Sequence, residues 1–272
     1  MDVYGVVGST INHSKSPKIH LLYSKQLGHD IDYQKIPATD ENFVATVERF
    51  FTKGGNGLNV TLPFKEQAFQ IADSLSNNAK SCGSVNTLTF SEDGRLHGEN
   101  TDGLGLLKDL ENNQISLENT KALILGAGGA TRGIIPMLFA SSVGSIVLCN
   151  RTMAKAELLQ EEFLPYGEII CQASKQLSGR YDLIINATSA SLSGEIPDIP
   201  DTMISGSVCY DLAYAYGETP FQHWTKQNNS AKSLQGWGML VEQAAESFFI
   251  WRGVRPKTCL LYTSDAADDT LV

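Results

Sequence analysis

The chain has 272 residues, 42% hydrophobic and 19% charged, with a formal net charge of −9. That balance predicts an ordinary globular protein, long enough for one large domain or two smaller ones. It argues against a general nucleic-acid or anionic-membrane surface, so an anionic ligand would have to meet individually placed Lys or Arg side chains.

The five cysteines lack CxxC spacing, and Cys149 and Cys209 sit in apolar runs. Buried thiols in a reducing compartment are expected. The five histidines are scattered, so no metal site is expected. The sequence begins on the strand-like "VYGVVG". With no basic-then-apolar leader and no long apolar span, a cytoplasmic location is expected.

Short β-rich runs alternate with helical patterns. Strands are predicted over 2–7, 31–36, 57–61, 85–90, 121–125, 145–149, 182–186 and 206–210, and helices over 17–27, 40–52, 64–74, 102–112, 129–142, 153–163 and 237–252. The alternation points to an α/β fold with parallel sheets and crossover helices. A break falls in "NNQISLENT", 112–120, where turn residues replace apolar periodicity. The helix before it would connect two α/β lobes, and the all-round apolar helix at 237–252 would pack back between them. The last stretch, "CLLYTSDAADDTLV", follows "GVRPKT" without amphipathic spacing. Residues 259–272 are expected to be a non-native tail, with the native C-terminal end missing.

Near the N-terminus, "NHSKSPKIHLLYSKQLG" introduces a helical stripe with Ser16 and Pro17. Ser at the N-cap and Pro at N1 explain that pair structurally. Ser14 has no such role, and two hydroxyls beside free N–H groups at a positive helix end can also hold a carboxylate. Both readings stand. In "GLNVTLPFKEQA", 57–68, Leu58 and Val60 alternate with Asn59 and Thr61. Pro63 then ends ladder pairing, and Lys65 opens a helix; this is either a solvated turn or a site. "SCGSVNTLTF" places Asn86 early in a strand, and "GENTDGLG" places Asp102 at the start of the connector helix, where an N-cap role would also account for it. A lysine can move a proton in alcohol oxidation, because burial lowers its pKa and a neighbouring carboxylate raises it. Lys65 with Asp102 is the most economical such pair.

The sharpest local signature is "ALILGAGGATRG", 122–133. An apolar strand runs into Gly126, Gly128 and Gly129 and then a helix, as dinucleotide pyrophosphate binding requires, although a Gly-rich turn can also simply connect a strand to a helix. Thr131 stands at the usual third glycine, so the fingerprint is imperfect. About twenty residues on, where NAD-binding folds place an acid on the ribose, the chain has Asn150, Arg151 and Thr152, with Lys155 a turn later. Loss of the acid and gain of a guanidinium favour a 2′-phosphate, hence NADP. "DLIINATSASLSG" ends a further strand in Asn186, Thr188 and Ser189. Those residues would line a nicotinamide or simply make a turn.

Taken together, "NHSKSPKIH", "GLNVTLPFKEQA", "SVNTL", "GENTDGLG", "GAGGATRG", "NRT", "INATS" and "GWGMLVEQAA" resemble shikimate dehydrogenases, in order, from the first residues to Arg255. The resemblance implies an N-terminal α/β substrate-binding domain (1–101, completed by 237–255) and a Rossmann-like doubly wound NADP-binding domain (102–236), separated by a cleft. It implies that Ser14 and Ser16 bind the shikimate carboxylate. Asn59, Thr61, Asn86, Asp102 and Gln243 would contact ring hydroxyls, with Tyr214 close by. Lys65 and Asp102 would be the catalytic pair. NADP would lie on Gly126, Ala127, Gly128, Gly129, Ala130, Asn150, Arg151, Thr152 and Lys155, with Thr188, Ser189, Leu212, Gly236 and Met239 near the nicotinamide. Ser84, Lys155, Ser191 and Leu212 depart from residues common in the family (Ala, Arg, Gly and Met). The implied reaction is reversible NADPH-dependent reduction of 3-dehydroshikimate to shikimate, towards chorismate and the aromatic amino acids, by a monomer or homodimer. A quinate/shikimate dehydrogenase paralogue with relaxed cofactor use, and a non-catalytic NADPH-binding regulatory protein, are the alternatives.

Overall fold

The computed structural model describes residues 1–91 and 93–262. The chain divides into two compact units, one formed by Met1–Leu106 with the chain from Leu240, the other by Leu107–Met239. The last ten residues of the expected tail, 263–272, lie outside the described residues.

The first unit runs β1 (Asp2–Gly8), α1 (Ser16–Leu27), β2 (Ile31–Pro37), α2 (Phe43–Thr52), β3 (Gly55–Val60), α3 (Lys65–Ile71), β4 (Ser74–Leu75), α4 (Asn77–Cys82), β5 (Thr87–Phe90), β6 (Leu96–Glu99) and the start of α5 (Asp102–Asn112). Its strands form one sheet in the order β2-β1-β3-β5-β6-β4. β1 pairs in parallel with β2 and β3, but β3–β5 and β5–β6 are antiparallel. The expected parallel pairing holds for β1, β2 and β3, and β5 and β6 add antiparallel pairs to the same sheet. Only a tight turn, closed by Ser91 N–H donating to the Arg95 carbonyl, joins β5 to β6, and it is too short for a crossover helix.

Amphipathic spacing explains how α2 covers this sheet. Phe43, Thr46, Val47, Phe50 and Phe51 recur at helical intervals on its buried side, the pattern of one core-facing stripe. They join Val7, Leu58, Val60, Phe64, Val85 and Leu88 in one cluster, with the Phe43 and Phe64 rings stacked at 4.7 Å. Gly28 ends α1 in the left-handed region at φ 69°, where glycine carries no Cβ penalty.

The second unit continues through α5 to β7 (Lys121–Leu125), α6 (Gly129–Ala140), β8 (Ser145–Cys149), α7 (Met153–Phe163), β9 (Ile169–Gln172), β10 (Leu183–Asn186), β11 (Val208–Asp211), α8 (Pro220–Gln227), β12 (Lys232–Gln235) and the start of α9 (Trp237–Arg252). All its strand pairs are parallel, in the order β12-β11-β10-β7-β8-β9. Counted within the unit this is the doubly wound dinucleotide-binding order, and its switch point lies between β7 and β10. Ligands of such sheets sit beyond the strand C-termini at that point.

Several boundaries differ from the sequence expectation. The strand expected over 206–210 is Val208–Asp211, because Gly206 takes φ 78° and turns the chain. The helix expected to reach 74 stops at Ile71, since Ser74 and Leu75 pair with β6. Within the stretch expected to be non-native, Cys259–Leu261 form a 3-10 turn, Leu261 is buried, and Tyr262 Oη donates to Glu242 Oε1 at 3.0 Å.

Candidate active site

In the first unit the strand and helix ends converge on one buried polar cluster. Lys65, the first residue of α3, reaches Asp102, the first residue of α5, with Nζ 2.5 Å from Oδ2. Their side chains are only 12% and 6% exposed, so water screens this ion pair far less than a surface one. Asn86 Nδ2 donates to the other carboxylate oxygen at 2.8 Å. Both oxygens of Asp102 are therefore engaged, and the carboxylate is fixed in direction. The chain holds Lys65 from behind as well, through Val85 N–H donating to its carbonyl at 2.9 Å. The sequence placed Asn86 inside a strand; β5 begins one residue later, and that leaves the Asn86 side chain free to serve the cluster.

Gln243, on α9, brings Oε1 to 3.4 Å from Asn86 Nδ2 and 3.3 Å from Thr101 Oγ1. Its Nε2 donates to the Leu240 carbonyl. Asp102 is not a simple helix cap: its own backbone N–H donates to Asn100 Oδ1 at 3.0 Å, so Asn100 does the local capping and the Asp102 carboxylate is released for Lys65. Thr61 directly follows β3, half-buried, with its N–H bonded to the Val7 carbonyl.

Asn59, expected to contact substrate, is 6% exposed. Its Nδ2 has the Asn86 carbonyl, Thr87 Oγ1 and Ser247 Oγ as acceptors at 3.0–3.1 Å, and its Oδ1 accepts from Tyr33 Oη. Both of its amide hydrogens have partners within the protein, as do those of Asn86. Ser16 was placed at the N-cap of α1 with Pro17 first; the helix instead starts at Ser16, and Lys15 at the N-cap makes no side-chain capping bond. Lys15 has already entered the right-handed region (φ −93°, ψ −4°), which moves the start back by one residue. Ser14 Oγ accepts the Ser16 N–H at 3.3 Å.

His20 marks the floor of this region. It is fully buried, stacks on Tyr33 with centroids 4.4 Å apart, and neither ring nitrogen has a hydrogen-bond partner. Burial pushes its pKa down to about 3, against a smaller opposing influence of the Asn59 side chain. Burial likewise drives the Tyr33 phenol well above its usual range, against a weaker pull from Ser16.

In the second unit, the loop after β7 meets the loop after β10 at the switch point. Gly126 adopts φ 103°, and a Cβ there would lie 3.0 Å from the Ala187 carbonyl oxygen. Gly128 and Gly129, by contrast, open onto empty space on the side a Cβ would fill, as a backbone cradle for pyrophosphate requires. Gly128 is the N-cap of the twelve-residue α6, and Ala127 and Ala130 flank the open glycines. Thr131, at the place of the usual third glycine, is buried and donates Oγ1 to the Gly126 carbonyl at 2.7 Å, closing the loop from inside. The imperfect fingerprint is thus a different way of bracing the same turn.

Asn150 Oδ1 accepts the Ala127 N–H at 3.2 Å, and its Nδ2 donates to the Thr152 carbonyl. This ties the end of β8 to the glycine loop. Arg151, Thr152 and Lys155 are exposed, and neither cation has an ion-pair partner among the described residues. The absence of an acid beside two unpaired cations fits a 2′-phosphate, so these residues suit NADP.

Asp211, at the end of β11, organises the remaining loops. Its Oδ2 accepts from Ser191 and Thr219 hydroxyls at 2.6 Å, and its Oδ1 from Asn186 Nδ2 and the Ala213 N–H. Burial raises its pKa, opposed by these bonds. Ser191, one of the departures from the family pattern, is therefore a ligand of this carboxylate. Asn186 in turn accepts from Thr188 N and Oγ1, which fixes the segment carrying Thr188 and Ser189. Gly236 approaches the Leu212 carbonyl so closely that a Cβ would sit 2.2 Å from it. The Tyr214 ring meets Trp237 edge-on at 6.2 Å. Met239 is buried on α9. The first-unit cluster unites Lys65, Asn86, Asp102 and Gln243; Tyr214 belongs to the second unit.

Comparison with known proteins agrees with both halves. Three family profiles match in order: the shikimate dehydrogenase substrate binding domain over 6–88, shikimate / quinate 5-dehydrogenase over 109–193, and the shikimate 5′-dehydrogenase C-terminal domain over 236–258. A shikimate dehydrogenase (NADP(+)) from Methylococcus capsulatus is 50% identical over 260 residues, 94% of this chain and 93% of that protein. The chain belongs to the shikimate dehydrogenase family. Among solved structures, an enzyme from Pseudomonas putida superposes with a TM-score of 0.88 at 41% identity, covering 96% of this chain and 97% of that one. The shikimate dehydrogenase of Thermus thermophilus, solved with NADP(H) and shikimate, gives a TM-score of 0.86 at 29% identity over 98% of each chain.

The sequence reading missed Thr87, Thr101, Ser247 and Asp211. Thr87 and Thr101 adjoin Asn86 and Asp102 in "VNT" and "NTD"; adjacency was the available signal. Ser247 is one helical turn from Gln243 on α9, a spacing that places two side chains on one face.

Proposed function

We propose that the protein is an NADP-dependent oxidoreductase that interconverts 3-dehydroshikimate and shikimate, a step towards chorismate. The observation that carries this reading is the buried Lys65–Asp102 ion pair with Asn86 on its second oxygen. Bound NADP(H) supplies or takes up the hydride. Gly126 to Ala130, with Asn150, Arg151, Thr152 and Lys155, would hold its phosphates and ribose, and Thr188, Ser189, Leu212, Gly236 and Met239 would border the nicotinamide.

In the reductive direction a carbonyl oxygen becomes a hydroxyl and needs one proton. Lys65 Nζ carries that proton, and Asp102 aims the ammonium and balances its charge. In the oxidative direction Lys65 takes the hydroxyl proton back. Asn86 and Gln243, whose amides already meet at the pair, would hold neighbouring ring hydroxyls, with Thr61 and Tyr214 completing the substrate contacts. Ser14 and Ser16 would bind the carboxylate at the start of α1. Asn59 would add a further contact to a ring hydroxyl.

Among the described residues, no helix is long and apolar enough to cross a membrane, and no group of three or more His, Cys, Asp and Glu could hold a metal. Work in the cytoplasm, as a monomer or homodimer, belongs to this reading. Steady-state rates for the four pairings of shikimate or quinate with NADP or NAD test it. Shikimate with NADP is expected to give the highest kcat/KM, and a preference for any other pairing would overturn the assignment.

A further inference from the structure

A directed series of buried hydrogen bonds ends on the Asp102 carboxylate. Tyr33 Oη donates to Asn59 Oδ1 at 2.7 Å, and Asn59 Nδ2 donates to Ser247 Oγ at 3.0 Å and to Thr87 Oγ1 at 3.1 Å. Ser247 and Thr87 hydroxyls lie 2.8 Å apart. Thr87 Oγ1 donates to Asn86 Oδ1 at 2.9 Å, and the Ser247 hydroxyl shares its one hydrogen between Thr87 Oγ1 and the Gln243 carbonyl at 3.1 Å. Asn86 then donates through Nδ2 to Asp102 Oδ1 at 2.8 Å.

The Asn86 amide has only one orientation compatible with this arrangement. Its oxygen also faces the Thr101 backbone N–H at 3.0 Å, a group that can only donate. The nitrogen must therefore face Asp102. Thr87 and Ser247 are both fully buried, at 0% exposure, so no water substitutes for their bonds, and successive donors in a low-dielectric interior polarise one another.

We propose that Thr87, held by Asn59 and Ser247, is a positioning residue for proton transfer, acting through Asn86 to aim the Asp102 carboxylate at Lys65. The proposal rests on the dehydrogenase reading above. Thr87 touches neither Lys65 nor a reacting atom; its effect passes through one amide.

Thr87→Val tests this with little change of shape. Every neighbour keeps another partner: Asn59 Nδ2 retains the Asn86 carbonyl and Ser247, Asn86 Oδ1 retains the Thr101 N–H, and Ser247 retains the Gln243 carbonyl at 3.1 Å. The variant is expected to fold with a Tm within a few degrees of the parent. Shikimate KM should stay within about twofold, while kcat falls about three- to tenfold, the usual weight of one hydrogen bond. The solvent deuterium isotope effect on kcat/KM should rise, because misalignment slows the proton step. Thr87→Ser, which keeps the hydroxyl, should restore kcat and the parent isotope effect.

The proposal is overturned if Thr87→Val keeps the parent kcat, or if its activity falls only with the folded fraction at an unchanged isotope effect. A second arm reads the relay without turnover. The Asn86 side-chain amide resonance, in 15N-labelled protein, should move in Thr87→Val and return in Thr87→Ser. A resonance that does not move overturns the proposal whatever the substrate. An unchanged parent protein that fails to reduce NADP with shikimate, while this resonance responds, places the failure in the functional reading instead.

Discussion

His20 makes the first unit sensitive to acid. Its ring is enclosed by Tyr33 and Tyr23, Phe248 and Trp251, with no hydrogen bond to either nitrogen, and burial holds its pKa at about 3. An unfolded histidine titrates near 6.5. Below that value the unfolded chain takes up a proton that the folded core does not accept until about pH 3. The contribution to stability is complete above pH 6.5 and is lost progressively as pH falls. Each pH unit is worth about 1.4 kcal/mol, so the loss at pH 5.0 is about 2 kcal/mol, rising to a limit of about 5 kcal/mol below pH 3.

His20→Phe keeps an aromatic ring in the stack and removes the titration. Urea unfolding of both proteins at pH 7.5 and pH 5.0, followed by far-UV circular dichroism, gives the difference of differences. Packing changes and all other carboxylate effects are common to both pH values or both proteins and cancel. The parent is expected to lose about 2 kcal/mol more than His20→Phe over this interval. Equal losses would refute the reasoning and would mean that a proton reaches the buried ring.

Gly126→Ala forces a Cβ into a residue at φ 103° and to 3.0 Å from the Ala187 carbonyl. Left-handed strain of about 1 kcal/mol or more should weaken NADP binding at least about fivefold in a fluorescence titration. Arg151→Ala should raise the NADP Kd about tenfold or more and leave the NAD Kd nearly unchanged, because only NADP carries the 2′-phosphate. Equal effects on the two cofactors would remove Arg151 from that role.

The sequence made the second unit readable because its signals are local. "KALIL" running into the open glycines, and "SIVLC" running into Asn150 and Arg151, each place strand, turn and helix within one window. The antiparallel half of the first sheet was not readable in the same way. β4 has two residues, β6 has four, and no periodicity can be established over so few positions. The same limit hid β9, α8 and β12. For Asn59, strand alternation placed the residue correctly, but only the fold shows that Tyr33, Ser247 and Thr87, distant in sequence, surround its amide. Lys65 and Asp102 were paired on chemical economy, and their separation of 37 positions carried no signal of contact.

The central claim is that Lys65, aimed by Asp102, moves the proton in NADP-linked oxidation of shikimate. Initial rates of NADPH formation at saturating shikimate and NADP, for the parent and Lys65→Ala, test it most directly. The account predicts shikimate-dependent absorbance growth in the parent, and a kcat lower by about 10²–10⁴-fold in Lys65→Ala with a much smaller change in shikimate binding. A Lys65→Ala protein with near-parental kcat would contradict it.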